Sequence, residues 1–267
     1  MRVISITDPD DPAIAPFRAV RERDLVGRDG LFIAEGETVL RTLAAGGHHE
    51  ILSALIADKR AEKLMPVLAA LGDIPIHTAS QSVLDAIAGF HLHRGILALG
   101  RKAPDVGAEA LLGTFPERVT IAVAIGLSNH DNMGGLFRNA AAFGAAAVLL
   151  DAGSCDPYYR KAIRVSVGSV LTVPFTRLVP DTDIPALLRA HGFTPFAFTG
   201  AGRTRLGDLV PSERAALVFG SEGPGLPESL MSTCETVRIE MAPGLDSLNV
   251  ATASGIALHH MMSRRGA

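Results

Sequence analysis

Three short stretches of this 267-residue chain gather amides, a carboxylate, a guanidinium and clustered glycines. In "SNHDNMGGLFRNAAAFG" (residues 128–144), Asn132 precedes Gly134 and Gly135, and Arg138 and Asn139 follow in an otherwise apolar run. An asparagine at a helix start can cap it, and glycines let a second backbone approach. A polar group such as Asn139 entering a buried face needs a partner. In "LVFGSEGPGLPES" (217–229), three glycines and two prolines follow directly on an apolar run. That is a tight loop whose exposed main chain suits a flat or anionic ligand. Glu222, in its middle, reads either as a surface acid or as a partner that orients Arg138. In "DSLNV" (246–250), a helix beginning near Ser247 presents Ser247 and Asn249 beside free backbone N–H donors. An ordinary cap accounts for one of these polar groups and leaves Asn249, after Leu248, unexplained.

The elements that must position these residues alternate between strand and helix, the pattern of α/β layers. "LFIAEG" (31–36) and "ILSALIA" (51–57) bracket an amphipathic helix; "SQSVLDAIAGF" (80–90) has Ser80 as N-cap and Gly89 as stop, and "GILALGRK" (95–102) is a further strand. Two prolines and two glycines in "RKAPDVGAEALLGTFPER" (101–118) mark a domain junction, giving units at 1–105 and 118–267 joined by a linker over 106–117. "VTIAVAIGL" (119–127) is a strand buried on both faces, as in a parallel sheet. Helix, strand and helix follow ("NMGGLFRNAAAFG", "AAAVLL", "YYRKAIRVSV"), then strands "TPFAF" and "AALVFG" and a long last helix from about Ser247. All three polar stretches fall where open α/β sheets put ligands, at strand ends and helix starts.

Composition bounds the chemistry. A 48% hydrophobic content supports real cores, and the two cysteines, Cys155 and Cys234, suggest neither a disulfide framework nor a zinc site, so no metal is expected. The opening "MRVISITDPDDPAIAP" lacks the apolar run of a signal peptide, and no stretch reaches the roughly 18 apolar residues of a membrane span, so a cytoplasmic protein is expected. The glycine loop is no phosphate signature: Gly220, Gly223 and Gly225 do not fit G-x-G-x-x-G, which also argues against a nicotinamide-dependent oxidoreductase. A net charge of −3 is unusual for a nucleic-acid binder, but basic residues cluster as "FRAVRER" (17–23), "HLHRG" (91–95), "GRK" (100–102), "YYRKAIR" (158–164) and "GRTR" (202–205).

Taken in order, the three polar stretches resemble the SpoU (TrmH-like) branch of the SPOUT methyltransferases: Asn132-x-Gly134 with Arg138 four residues on, the "FGSEGPGL" loop, and the "DSLNV" helix start, with "RKAIRVSVGSVLTVPF" similar to the intervening region. The resemblance covers residues 118–265, and "GLFIAEG" with "GILALGRK" is similar to the small ribosomal-protein-like α/β domain often attached N-terminally. It implies a C-terminal domain whose parallel sheet forms a trefoil knot, S-adenosylmethionine as cofactor, and methyl transfer to a ribose 2′-hydroxyl of structured rRNA or tRNA by a homodimer. On the motif match, Gly220, Ile239 and Leu248 contact the cofactor through backbone groups, with Ser247 and Asn249 completing the pocket. Asn132, Arg138 and Glu222, together with Asn249, fall at active-site positions, and Arg138 is the family's proposed proton acceptor. "IEMAPG" departs from the family pattern: Glu240 follows Ile239, and Pro243 comes later than the family's proline. A non-catalytic RNA-binding protein on the same fold is the alternative, against which the joint presence of these four side chains argues.

Overall fold

A computed structural model of the protein describes residues 2–18, 27, 30–46, 48–88 and 95–266. Most of the basic stretches 17–23 and 91–95, and the helix stop expected at Gly89, lie outside these residues. The chain divides into two compact units, Met1–Pro104 with Pro157–Thr172, and Asp105–Asp156 with Val173–Ala267.

In the first unit, β1 (Arg2–Ile6), β2 (Leu31–Glu35), β3 (Glu50–Ala57), β4 (Pro75–Ala79) and β5 (Ile96–Arg101) form a mixed sheet in the order β1-β4-β3-β5-β2. β4 runs parallel to β1 and β3, and β5 runs antiparallel to β3 and β2. Alternate side chains separate its two faces, as strand geometry requires. Ile33, Leu55, Ala57, Leu97 and Leu99 form one cluster with Leu84 and Ile87 of the helix Gln81–Ala88. That helix starts after Ser80, whose Oγ accepts from the Val83 N–H at 3.4 Å. Strands β1 and β4 carry weaker apolar patterning and escape the sequence reading. The segment 157–172 packs here too: Tyr158 stacks on Phe32 of β2, ring centroids 5.4 Å apart, and the helix Arg160–Val165 lies against the same strand.

In the second unit, seven strands are all parallel: β6 (Val119–Ile125), β7 (Val148–Leu150), β8 (Phe175–Arg177), β9 (Thr194–Phe198), β10 (Thr204–Arg205), β11 (Arg214–Gly220) and β12 (Glu235–Arg238), in the order β10-β12-β9-β11-β6-β7-β8. Every residue of β6 is buried, which explains its unbroken apolar run. The chain steps outward through β7 and β8, returns on the far side as β9, and later inserts β11 between β9 and β6. β6 and β11 end in register, Ile125 beside Gly220, so the loops after them emerge together at a topological switch point. The stretch 106–117, expected as a linker, carries the helix Ala108–Gly113, whose Leu111 and Leu112 are buried in the core of this unit. Its helical stretch spans less than two turns, too few for a periodicity to show.

Candidate active site

The loop after β6 is clamped by the loop after β7. The Gly126 N–H donates to Asp151 Oδ1 at 3.0 Å, the Leu127 N–H to Ser154 Oγ at 3.0 Å, and the Cys155 N–H to the Leu127 carbonyl at 2.8 Å. Arg177 fixes the clamp by donating to the carbonyls of Asp151, Ser154 and Cys155. From this loop rises the helix His130–Ala142, capped by Asn129, whose Oδ1 accepts from the Asp131 N–H at 2.8 Å. The cap expected of Asn132 therefore belongs to Asn129. Asn132 lies within the first turn, 5% exposed, its side chain turned inward.

After β11 the chain doubles back tightly. A Cβ on Gly220 would fall 2.5 Å from the Gly225 carbonyl carbon and 2.6 Å from the Leu226 nitrogen, so only glycine fits. A bridge joins Ser221 to Gly225, and Gly223 and Gly225 take φ of 91° and 67°, the left-handed region that glycine allows.

The third stretch forms no helix at Ser247: the last helix is Val250–Gly266, with Asn249 ahead of it. Asn249 Oδ1 accepts from the Ala251 N–H at 2.9 Å, as a capping group does. With the oxygen so engaged, its Nδ2 donates to Asn132 Oδ1 and to Glu222 Oε1, both at 2.8 Å. The second polar group of "DSLNV" is explained: one side chain caps a helix and joins the other two motifs.

Glu222 thus pairs with Asn249, not with Arg138. Arg138 is exposed and makes no hydrogen bond or ion pair among the described residues. The helical repeat explains why. Asn132, Gly135 and Asn139 share the face that meets the last helix, and Arg138 lies off it. Asn139 finds its partners there, its Nδ2 donating to the Ala251 carbonyl and, at 3.0 Å, to Ser254 Oγ.

Beside the Asn132–Asn249–Glu222 chain opens a cavity of about 590 Å³, within the range of small-molecule sites. Gly220, Glu222, Ile239, Ser247, Leu248 and Asn249 all line it. Asn132 reaches it only through Asn249, and Arg138 is not in its wall. The sequence reading missed Phe198, Thr199, Gly200, Leu226, Met241 and Asp246 of the lining. The signal was present: "TPFAFTGAG" repeats the strand-then-glycine pattern of "ALVFGSEG", and a Cβ on Gly200 would fall 2.6 Å from the Asp246 carbonyl oxygen. Glu240, the departure from the family pattern, pairs with Arg205 at 2.7 Å, while its neighbours Ile239 and Met241 line the cavity.

Burial pushes the Cys155 thiol up to about 11 and raises that of Cys234, so neither is a thiolate nucleophile at neutral pH. Among the described residues no group of His, Cys, Asp and Glu side chains could hold a metal, and no helix is long and apolar enough to cross a membrane.

A parallel sheet opening at its switch point onto a cavity walled by main chain defines an α/β protein built to grip a small organic ligand by its backbone. The chain belongs to the SpoU rRNA methylase family, whose model matches residues 120–259. An uncharacterized tRNA/rRNA methyltransferase of Mycobacterium bovis is 38% identical over 267 residues, 96% of this chain and 91% of that protein. The crystal structure of an AdoMet-bound rRNA methyltransferase from Sinorhizobium meliloti shares the fold, with a TM-score of 0.83, 23% identity and 98% of each chain covered. An RNA 2′-O ribose methyltransferase does so with a TM-score of 0.79 and 25% identity, over 99% of this chain and 100% of that one.

Proposed function

We propose that this protein is an S-adenosylmethionine-dependent methyltransferase that modifies a ribose 2′-hydroxyl of structured RNA, ribosomal or transfer. The observation that carries the reading is the Asn132–Asn249–Glu222 hydrogen-bonded chain at the edge of the main-chain-lined cavity. The cofactor fits what the residues offer. Gly220 and Gly200 leave no room for a Cβ, so backbone groups stand exposed at the wall, and Ser247 adds a hydroxyl. When bound, the cofactor supplies a methyl already activated on a sulfonium, so no metal is needed. Gly220, Ile239 and Leu248 would hold it through main-chain groups, and Ser247 and Asn249 would close the pocket.

The protein must then align a ribose hydroxyl in line with that methyl and assist loss of its proton. Asn249 fixes Glu222 Oε1, and Oε2 accepts no hydrogen bond among the described residues, so it is placed to receive one from a hydroxyl. The Arg138 guanidinium offers planar cationic donors, so it serves the developing alkoxide or an RNA phosphate. Its exposure favours the phosphate.

The same reading includes a trefoil knot in the C-terminal domain, supported by the late insertion of β11 and the close crossing at Gly200. It also includes an RNA-selecting ribosomal-protein-like domain built on 1–105, a methyltransferase domain built on 118–267, and a cytoplasmic homodimer. The test is transfer of labelled methyl from S-adenosylmethionine to rRNA and tRNA, followed by nucleoside mass spectrometry. Label on the ribose 2′-oxygen is expected. Label on a base, or none with either RNA, overturns the reading.

A further inference from the structure

The stretch that leads into the last helix holds a charged side chain to which the proposed reaction gives no task. Asp246 lines the same cavity as Ser247, Leu248 and Asn249, and its exposed carboxylate makes no hydrogen bond or ion pair among the described residues. Its main chain is fixed nonetheless, because its carbonyl crosses so close to Gly200 that a Cβ there would fall 2.6 Å from the oxygen. Glu222, held by Asn249 at 2.8 Å, is the other acid of the wall. Among the described residues that line the cavity there is no lysine, arginine or histidine. The basic residues of the neighbouring strands are engaged elsewhere or stand outside the wall. Arg238, next to the lining residue Ile239, donates to the carbonyls of Gly202 and Arg203 at 2.6 and 2.9 Å. Arg205 pairs with Glu240 at 2.7 Å, and Arg203 is exposed and is not in the lining.

A wall with two carboxylates and no cationic side chain matters because the ligand changes charge in the reaction. At neutral pH S-adenosylmethionine carries a sulfonium, an ammonium and a carboxylate, and so one net positive charge. When a ribose oxygen takes the methyl, the carbon–sulfur bond breaks with its electron pair left on sulfur, and the hydroxyl proton is released. The product keeps the ammonium and the carboxylate but holds a neutral thioether, so its net charge is zero. Methyl donor and product therefore differ by one methyl and one positive charge. Backbone contacts to the parts they share cannot tell them apart, and a carboxylate can.

We propose that Asp246 is a specificity residue that biases the cavity toward the charged methyl donor and against its neutral product, favouring discharge of the product after transfer. The inference rests on the reading of this cavity as the cofactor site. Attraction from an exposed carboxylate is screened by solvent and salt, so the bias is modest, about three- to tenfold. Glu222 adds to it but belongs to the chain that serves the reacting hydroxyl. Asp246 is the acid whose charge can be removed without touching that chain.

The test is calorimetry of the full chain with S-adenosylmethionine, S-adenosylhomocysteine and sinefungin, in which a carbon bearing an ammonium replaces the methylated sulfur. Asp246→Asn, equal in shape and uncharged, should weaken binding of the methyl donor and of sinefungin about three- to tenfold, and leave the product within about twofold of wild type. Asp246→Glu should keep the wild-type ratio of the three affinities. In the wild type the ratio of methyl-donor to product affinity should fall as KCl rises. Urea unfolding reports folding separately and should be unchanged. Equal losses for methyl donor and product, or no loss for either, overturn the proposal. A loss for the methyl donor but not for sinefungin would assign the effect to the methyl and overturn it too. A wild type that binds neither methyl donor nor product ends this inference together with the reading of the cavity. If the affinities shift as expected yet no RNA is methylated, the charge selection stands and the assigned activity fails. If RNA is methylated and the ratio does not respond to Asp246→Asn, the activity stands and the inference fails.

Discussion

Asn249 uses its side chain fully: the oxygen caps a helix, and the two amide hydrogens reach Asn132 and Glu222. Replacing it separates these duties. Asn249→Asp keeps the cap oxygen, loses both donors and sets a carboxylate against Glu222. We expect thermal stability within about 1 kcal/mol of wild type, the scale of a cap, but single-turnover methyl transfer reduced by about 10²-fold or more. A variant that transfers methyl at the wild-type rate would show that the bonds are structural only. For Arg138 the expectation divides. Arg138→Ala should raise the RNA concentration needed for half-maximal rate if the residue holds a phosphate. A loss of about 10²-fold at saturating RNA would instead place it in the chemical step, and recovery in Arg138→Lys would identify charge as its contribution. Gly220→Ala should abolish cofactor binding, seen by calorimetry, because its Cβ has no space beside Gly225 and Leu226. The types of these residues were visible in the sequence, but their partners were not. Asn249 meets groups 27 and 117 positions away, and a spacing along the chain carries no record of which polar group turns toward which.

Two helices carry this arrangement, His130–Ala142 and Val250–Gly266, and they touch almost without clearance. A Cβ on Gly135 would collide with that of Ala251, and one on Gly255 would come 3.2 Å from Asn139 Nδ2. Gly135→Ala gains helix propensity yet should destabilise the protein by about 1–3 kcal/mol in urea unfolding, the cost of overpacking a tight contact. An increase in stability would mean that the helices can part freely. The sequence showed both helices, and it showed β6 and β11, whose buried runs are unbroken. It did not show β8, β10 or β12, which span two to four residues each, too short for alternation to register. The start of the last helix was misplaced by about one turn for a related reason. Ser247 and Asn249 are both good caps by type, and the choice between them is made by Asn132 and Glu222 across the site.

Over the whole molecule, acid sensitivity should be uneven. Burial depresses the proton affinity of His49 and of His77, the latter opposed by Asp11, and both histidines belong to the first unit. The unfolded chain therefore binds more protons. Stability is complete above the unfolded histidine value near 6.5 and declines as pH falls through it. The urea midpoint should drop between about pH 7.5 and about pH 5.5, and less so in His77→Phe. An equal drop in the variant would remove His77 from the account. The division of the chain has a consequence for exchange between relatives. Residues 157–172 lie in sequence between β7 and β8 of the second unit, yet their buried side chains, Tyr158, Ala162, Ile163, Val170 and Leu171, belong to the first. No single cut yields either unit whole. A truncation at the junction strips this segment of its support, and a chimera made by exchanging N-terminal halves between relatives mismatches it. An exchange at that junction should cost stability unless residues 157–172 travel with the N-terminal half, and the urea midpoints of the two chimeras would show it.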